Sequence, residues 1–153
     1  MSRGKLPKIN IKAPREFKLQ TENKISVSFQ YLTNNNGYNL KFFGKDLRAK
    51  ANFFEQLLDF LTRLTSHTLL EISTENKITK INCGFEVLEF KQIEFTPSNY
   101  TLTKDAKIHD FRFGNSGNGG DYRLLGFFAH NQTILNIIGF DFNYSAYKHG
   151  QKI

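Results

Sequence analysis

Residues 133–142 read TILNIIGFDF. The run is apolar at odd and even positions alike, which in a β-strand means that both faces are covered. Such a strand belongs inside a sheet, with a neighbour on each edge and a layer on each side. Two more strand signals precede it, KIHDFRF (107–113) and YRLLGFF (122–128). The short AHNQ link (129–132) predicts an antiparallel hairpin between the last two strands.

The cover is predicted from 46–66, DLRAKANFFEQLLDFLTRLTS. Asp46 is a suitable N-cap, and Leu47, Ala51, Phe54, Leu58, Leu61 and Thr65 recur at helical spacing, which assigns them to the core-facing stripe. Before the helix, KISVSFQYL (24–32) alternates Ile25, Val27, Phe29 and Tyr31 on one face. TNNNGYN (33–39) is turn-like, and YNLKFFG (38–44) reads as a returning strand, so a hairpin is expected over 24–43. LLEIST (69–74), KITKI (77–81) and GFEVLEFKQIEF (84–95) read as short strands, although the first also suits a continuation of the helix. The expected architecture is α+β: a largely antiparallel sheet packed on one main amphipathic helix. At 153 residues a single domain is expected over 1–153, with 1–23 a basic, mostly irregular arm and 24–153 the α+β domain.

Composition narrows the function classes. Hydrophobic residues make up 39% and charged residues 23%, within the range of soluble globular chains. No run approaches the ~18–20 apolar residues of a membrane span. The N-terminus has no apolar signal core, which gives the expectation of a mature, cytoplasmic protein. The single Cys83 excludes an intrachain disulfide and a cysteine-based metal cluster. Lys and Arg total 21 against 14 Asp and Glu, a net charge of +7. Part of the excess is concentrated in the arm at Lys5, Lys8, Lys12, Arg15 and Lys18. A balance of this kind attracts a polyanion such as nucleic acid.

Familiar catalytic signatures are missing. GNSGNGGD (114–121) lacks the GK[ST] ending and the following helix of a phosphate loop, so it reads as a hairpin loop. His67, His109, His130 and His149 show no metal-ligand spacing. The remaining candidates sit on the last strands and the tail. In KIHDFRF, Asp110 and Arg112 share one face while His109, Phe111 and Phe113 share the other. Arg123 shares a face with Leu125 and Phe127, and a guanidinium there is costly unless it is paired or faces a cleft. Two readings stay open: a structural pair with Asp141, or an exposed arginine that meets a phosphate. Beyond the last strand the tail gathers Tyr144, Tyr147, Lys148 and His149.

These residues carry a family resemblance. The segment KIHDFRFG…DYRLLGFFAHNQTILNIIGFDFNYSAYKHG (about 105–149) resembles the C-terminal half of the RelE/ParE toxin superfamily. The matching features are Phe111-Arg112 closing one strand, Tyr122-Arg123 opening the next, and an apolar strand leading into a tail with Tyr144, Tyr147, Lys148 and His149. The helix at 46–65 resembles the family order more loosely. Residues 1–36 are an extension, and 67–104 looks like a strand-rich insertion on a RelE-like core. The resemblance implies a metal-independent endoribonuclease needing no cofactor, in which the substrate's 2′-OH attacks the phosphate. Arg112 and Arg123 would hold the phosphate, and Tyr147, Lys148 and His149 would move protons. It also implies RNA, ribosome-bound mRNA included, as substrate and an antitoxin as partner, with no membrane involved. Lys5, Lys8, Lys12, Arg15, Lys18 and Tyr144 would add affinity for RNA. The alternatives are a non-catalytic nucleic-acid-binding module and a phage- or plasmid-type interaction protein.

Overall fold

The computed structural model describes residues 23–74, 85–114, 122–129 and 133–148. Its strands are β1 (Ser26–Ser28), β2 (Phe85–Glu89), β3 (Lys107–Phe113), β4 (Tyr122–Ala129) and β5 (Ile134–Asp141). They form one five-stranded sheet in the order β1-β5-β4-β3-β2. The β2–β3, β3–β4 and β4–β5 pairs are antiparallel, and β1 lies parallel to β5. The sheet is therefore mixed and largely antiparallel, and β5 sits inside it, as its two-sided apolarity requires. Among the described residues no helix is long and apolar enough to cross a membrane.

The helix α1 (Leu47–Leu64) begins where expected, with the Asp46 side chain accepting from the Ala49 N–H at 3.0 Å. Its core stripe is not the expected one. Phe53, Leu57, Phe60 and Leu64 are buried, whereas Leu58 is 64% exposed and Leu47 and Phe54 are also exposed. The error is one residue, about 100° around the helix. Two adjacent apolar stripes run along α1, and periodicity alone does not say which one meets the sheet. The buried stripe packs aromatic rings on the sheet: Phe53 lies edge-on to Phe140 at 5.1 Å, and Phe60 stacks on Phe113 at 5.2 Å.

The hairpin expected over 24–43 does not form. Strand β1 takes the parallel edge of β5 instead, pairing Ser26 with Ile134 and Ser28 with Asn136. The second half becomes a 3-10 turn, Leu40–Phe43, because the Asn39 side chain accepts from the Lys41 N–H at 2.9 Å and Gly44 closes the turn at φ 55°. The strand read from LLEIST is the short helix α2 (Leu69–Thr74). A capping box starts it: the Glu71 N–H donates to the Thr68 hydroxyl and the Thr68 N–H donates to the Glu71 carboxylate, each at 3.1 Å. Residues 77–81 and most of the 114–121 loop lie outside the described residues.

The far side of the sheet is covered by irregular chain. Phe95, Ile108, Leu125, Phe127, Ile138, Ala146 and Tyr147 form this second core layer. One glycine decides how closely the cover approaches. A Cβ on Gly139 would sit 2.5 Å from the Phe95 ring, so only glycine lets Phe95 lie against β5.

Candidate functional site

Strand parity brings the predicted residues onto this second side. Arg112 and Arg123 are direct cross-strand partners on β3 and β4, and Glu86 on β2 stands opposite Asp110. Tyr147 reaches the same place from the segment after β5. The Arg123 Nη1 donates to Asp110 at 2.8 Å and to the Tyr147 hydroxyl at 2.9 Å. That hydroxyl contacts Glu86 at 2.6 Å and also hydrogen-bonds Asp110. The group is dry: Asp110 is 0% exposed, Arg123 7% and Tyr147 6%.

The carboxylate that neutralises Arg123 is thus Asp110. Asp141, cast for that part from the sequence, accepts backbone N–H bonds from Asn143, Ser145 and Ala146 at 3.0–3.3 Å. Those bonds fold the tail back over the sheet and hold Tyr144 at φ 59°, a left-handed conformation uncommon outside glycine. The Tyr144 ring lies 5.1 Å from the Arg123 guanidinium, in cation–π range, while the residue stays 52% exposed.

The electrostatics follow from burial. Loss of water pushes Asp110 up, against the lowering effects of Tyr147 and Arg123. Burial works against the Arg123 charge too, but the Asp110 carboxylate outweighs it and the guanidinium stays protonated. Burial, then the hydrogen bonds to Asp110 and Glu86, push the Tyr147 phenol far above its ordinary value, so it keeps its proton near neutrality. A buried arginine neutralised in this way holds the tail to the sheet. Its Nη1 is taken up by Asp110 and the Tyr147 hydroxyl.

The rim differs. Arg112 is half-buried, and among the described residues its guanidinium has no ion-pair or hydrogen-bond partner. Lys148, next to Tyr147, is exposed. The neutralised centre thus has Arg112 beside it on the sheet, the Tyr144 ring against Arg123, and Lys148 next along the chain from Tyr147. His149, Lys5, Lys8, Lys12, Arg15 and Lys18 lie outside the described residues. The sequence reading missed Glu86, and it placed Asp110 on the right face without giving it a role; the shared parity of Asp110 and Arg112 was the available signal.

At the opposite end of the sheet, a cavity of about 350 Å³ is lined by Val87, Leu102, Lys107, His109, Phe127 and Phe128, among others. His109 stacks on Phe85 and meets Phe128 edge-on at 4.8 Å, and burial lowers it to about 4. It is therefore neutral at pH 7. No family model, no curated protein and no solved structure matches this chain.

Proposed function

We propose that the protein is an RNA-binding protein of the cytoplasm, in which Arg112, Tyr144 and Lys148 contact the nucleic acid while Arg123 maintains the fold beneath them. The observation that carries this reading is the division of labour between the two arginines. Arg123 is paired with Asp110, whereas the guanidinium of its cross-strand partner Arg112 has no carboxylate partner among the described residues. The net charge of +7 supplies long-range attraction for a polyanion. An exposed tyrosine beside free cations suits single-stranded RNA, whose bases stack on aromatic rings while cations meet phosphates. Titration of a labelled single-stranded RNA tests the reading. Affinity is expected to fall steeply between about 50 and 200 mM salt as counterions are released. Arg112→Ala and Lys148→Ala are each expected to weaken binding, and absence of binding at low salt refutes the proposal.

A second reading, metal-independent RNA cleavage of the RelE/ParE type, is favoured by the convergence of Arg112, Arg123 and Tyr147 on one side of the sheet. It requires a substrate to displace Asp110 from Arg123. It also requires a general base other than Tyr147, whose proton is held too tightly. The exposed stripe of Leu47, Phe54 and Leu58 on α1 suits the antitoxin partner that this reading implies. Cleavage that survives EDTA and leaves a 2′,3′-cyclic phosphate distinguishes it from binding alone.

A further inference from the structure

A smaller cavity of about 180 Å³ opens on the tail side of the sheet, where Phe127 forms part of its wall together with Gln30, Tyr31, Tyr100 and Asn136. Three rings form an aromatic group there. Tyr31 and Tyr100 have centroids 4.7 Å apart, and Tyr100 and Phe127 lie 5.0 Å apart at 26°. Tyr100 is exposed, so the group is open to solvent.

Asn136 is the unexpected member. It lies within the apolar run of β5, opposite Phe127 on one neighbour and Ser28 on the other. It is 3% exposed, and its Oδ1 is buried without a hydrogen-bond partner. A buried amide left unpartnered is expensive, whereas an apolar side chain of similar shape costs nothing there. The strand therefore carries an amide oxygen that its own packing does not use, in a residue that lines the cavity together with the rings. An asparagine amide offers a donor and an acceptor side by side, the pattern that complements the edge of a nucleobase.

We infer that this cavity is a base-binding site: one nucleobase stacks on the Tyr31–Tyr100–Phe127 group and its polar edge meets the Asn136 amide. The cavity is smaller than the ~300 Å³ at which drug-sized sites begin, which suits a single planar ring. The inference deepens the RNA-binding reading and rests on it. Arg112 stands opposite Arg123, which lies four residues from Phe127 on β4, so this site is about 13 Å along the sheet from Arg112, and the two can be tested apart.

The experiment compares short oligo-A, oligo-C and oligo-U with an abasic ribose-phosphate oligomer of equal length, for the wild type, Tyr100→Ala and Asn136→Leu. The wild type is expected to bind at least one base-bearing oligomer more tightly than the abasic one. Tyr100→Ala is expected to remove about 5- to 150-fold of that affinity, the range measured for one stacked base, and to leave abasic binding unchanged. Asn136→Leu is expected to reduce the preference among bases and to melt at the wild-type temperature or above, because it deletes a buried amide oxygen that has no partner. A lower melting temperature for Asn136→Leu would mean that the fold uses the amide, and overturns the inference. Variants that bind every oligomer as the wild type does overturn it as well, while leaving RNA binding at the rim intact. Failure of the wild type to bind any oligomer at low salt, the abasic one included, overturns both.

Discussion

Under α1 the sheet presents Phe111, Phe113, Leu124, Ile137 and Phe140 to a helix stripe of Phe53, Leu57, Phe60 and Leu64. On the other side the same strands present Asp110, Arg112, Arg123 and Asp141 to irregular chain. The first side is held by burial and ring packing, which are non-directional and tolerate many arrangements. The second depends on particular partners: one carboxylate for one guanidinium, one phenol joining both, and one aspartate folding the tail. A regular helix has few spare polar groups to offer a buried charge. A loop brings backbone N–H groups and side chains from several directions, so polar chemistry collects beneath the loops.

Substitutions can break this contrast, and the largest effect belongs to the helix side. Phe60 is fully buried against Phe111 and Phe113. Phe60→Asp is expected to unfold the protein, because an unpaired buried carboxylate costs several kcal/mol against a whole stability of ~5–15 kcal/mol. Circular dichroism and a thermal melt check this.

Next comes the buried pair. Asp110→Ala and Arg123→Ala each strand a charge and are expected to cost ~3–5 kcal/mol in chemical denaturation. The double replacement Asp110→Leu with Arg123→Met is expected to recover most of that loss, since an apolar pair of similar volume leaves nothing unpaired. Additive losses in the double variant would show that the two side chains act separately.

A smaller effect is pH-dependent. His109 is lowered from 6.5 to about 4 by burial, so the unfolded chain binds its proton first as pH falls. Its contribution to stability is present above about pH 6.5 and is lost as pH drops toward 4. His109→Phe should flatten the melting temperature over that window relative to wild type. The smallest effect is at Leu58, where an exposed site makes Leu58→Asp worth no more than about ±0.5 kcal/mol. Unfolding by Leu58→Asp would return the core to the other stripe of α1.

How far the sequence could be read follows the same division. Strands β3, β4 and β5, the start of α1 and the faces of Asp110, Arg112 and Arg123 were legible, because period-2 parity and an N-cap are local. The buried stripe of α1 was not, since Phe53–Phe54, Leu57–Leu58 and Phe60–Leu61 are apolar pairs that give two stripes of equal quality. The false hairpin over 24–43 came from reading β1 with its nearest neighbour in sequence, whereas β5 offered the apolar edge. The helix α2 was legible in principle, because Thr68 and Glu71 spell a capping box. Arg123 was legible only as a choice, paired or facing a cleft, and the structure gives it a carboxylate partner. Choosing Asp110 over Asp141 required knowing that the tail consumes Asp141 through its backbone N–H groups.

The central claim is that Arg123 supports the fold while Arg112 meets RNA. It is tested most directly by titrating labelled single-stranded RNA, across a range of salt, against the Asp110→Leu/Arg123→Met variant and against Arg112→Ala. The double variant is expected to fold and to bind with wild-type affinity and salt dependence. Arg112→Ala is expected to bind more weakly, with the salt slope reduced by about 1. A double variant that folds and yet loses RNA binding, while Arg112→Ala retains it, would contradict the account.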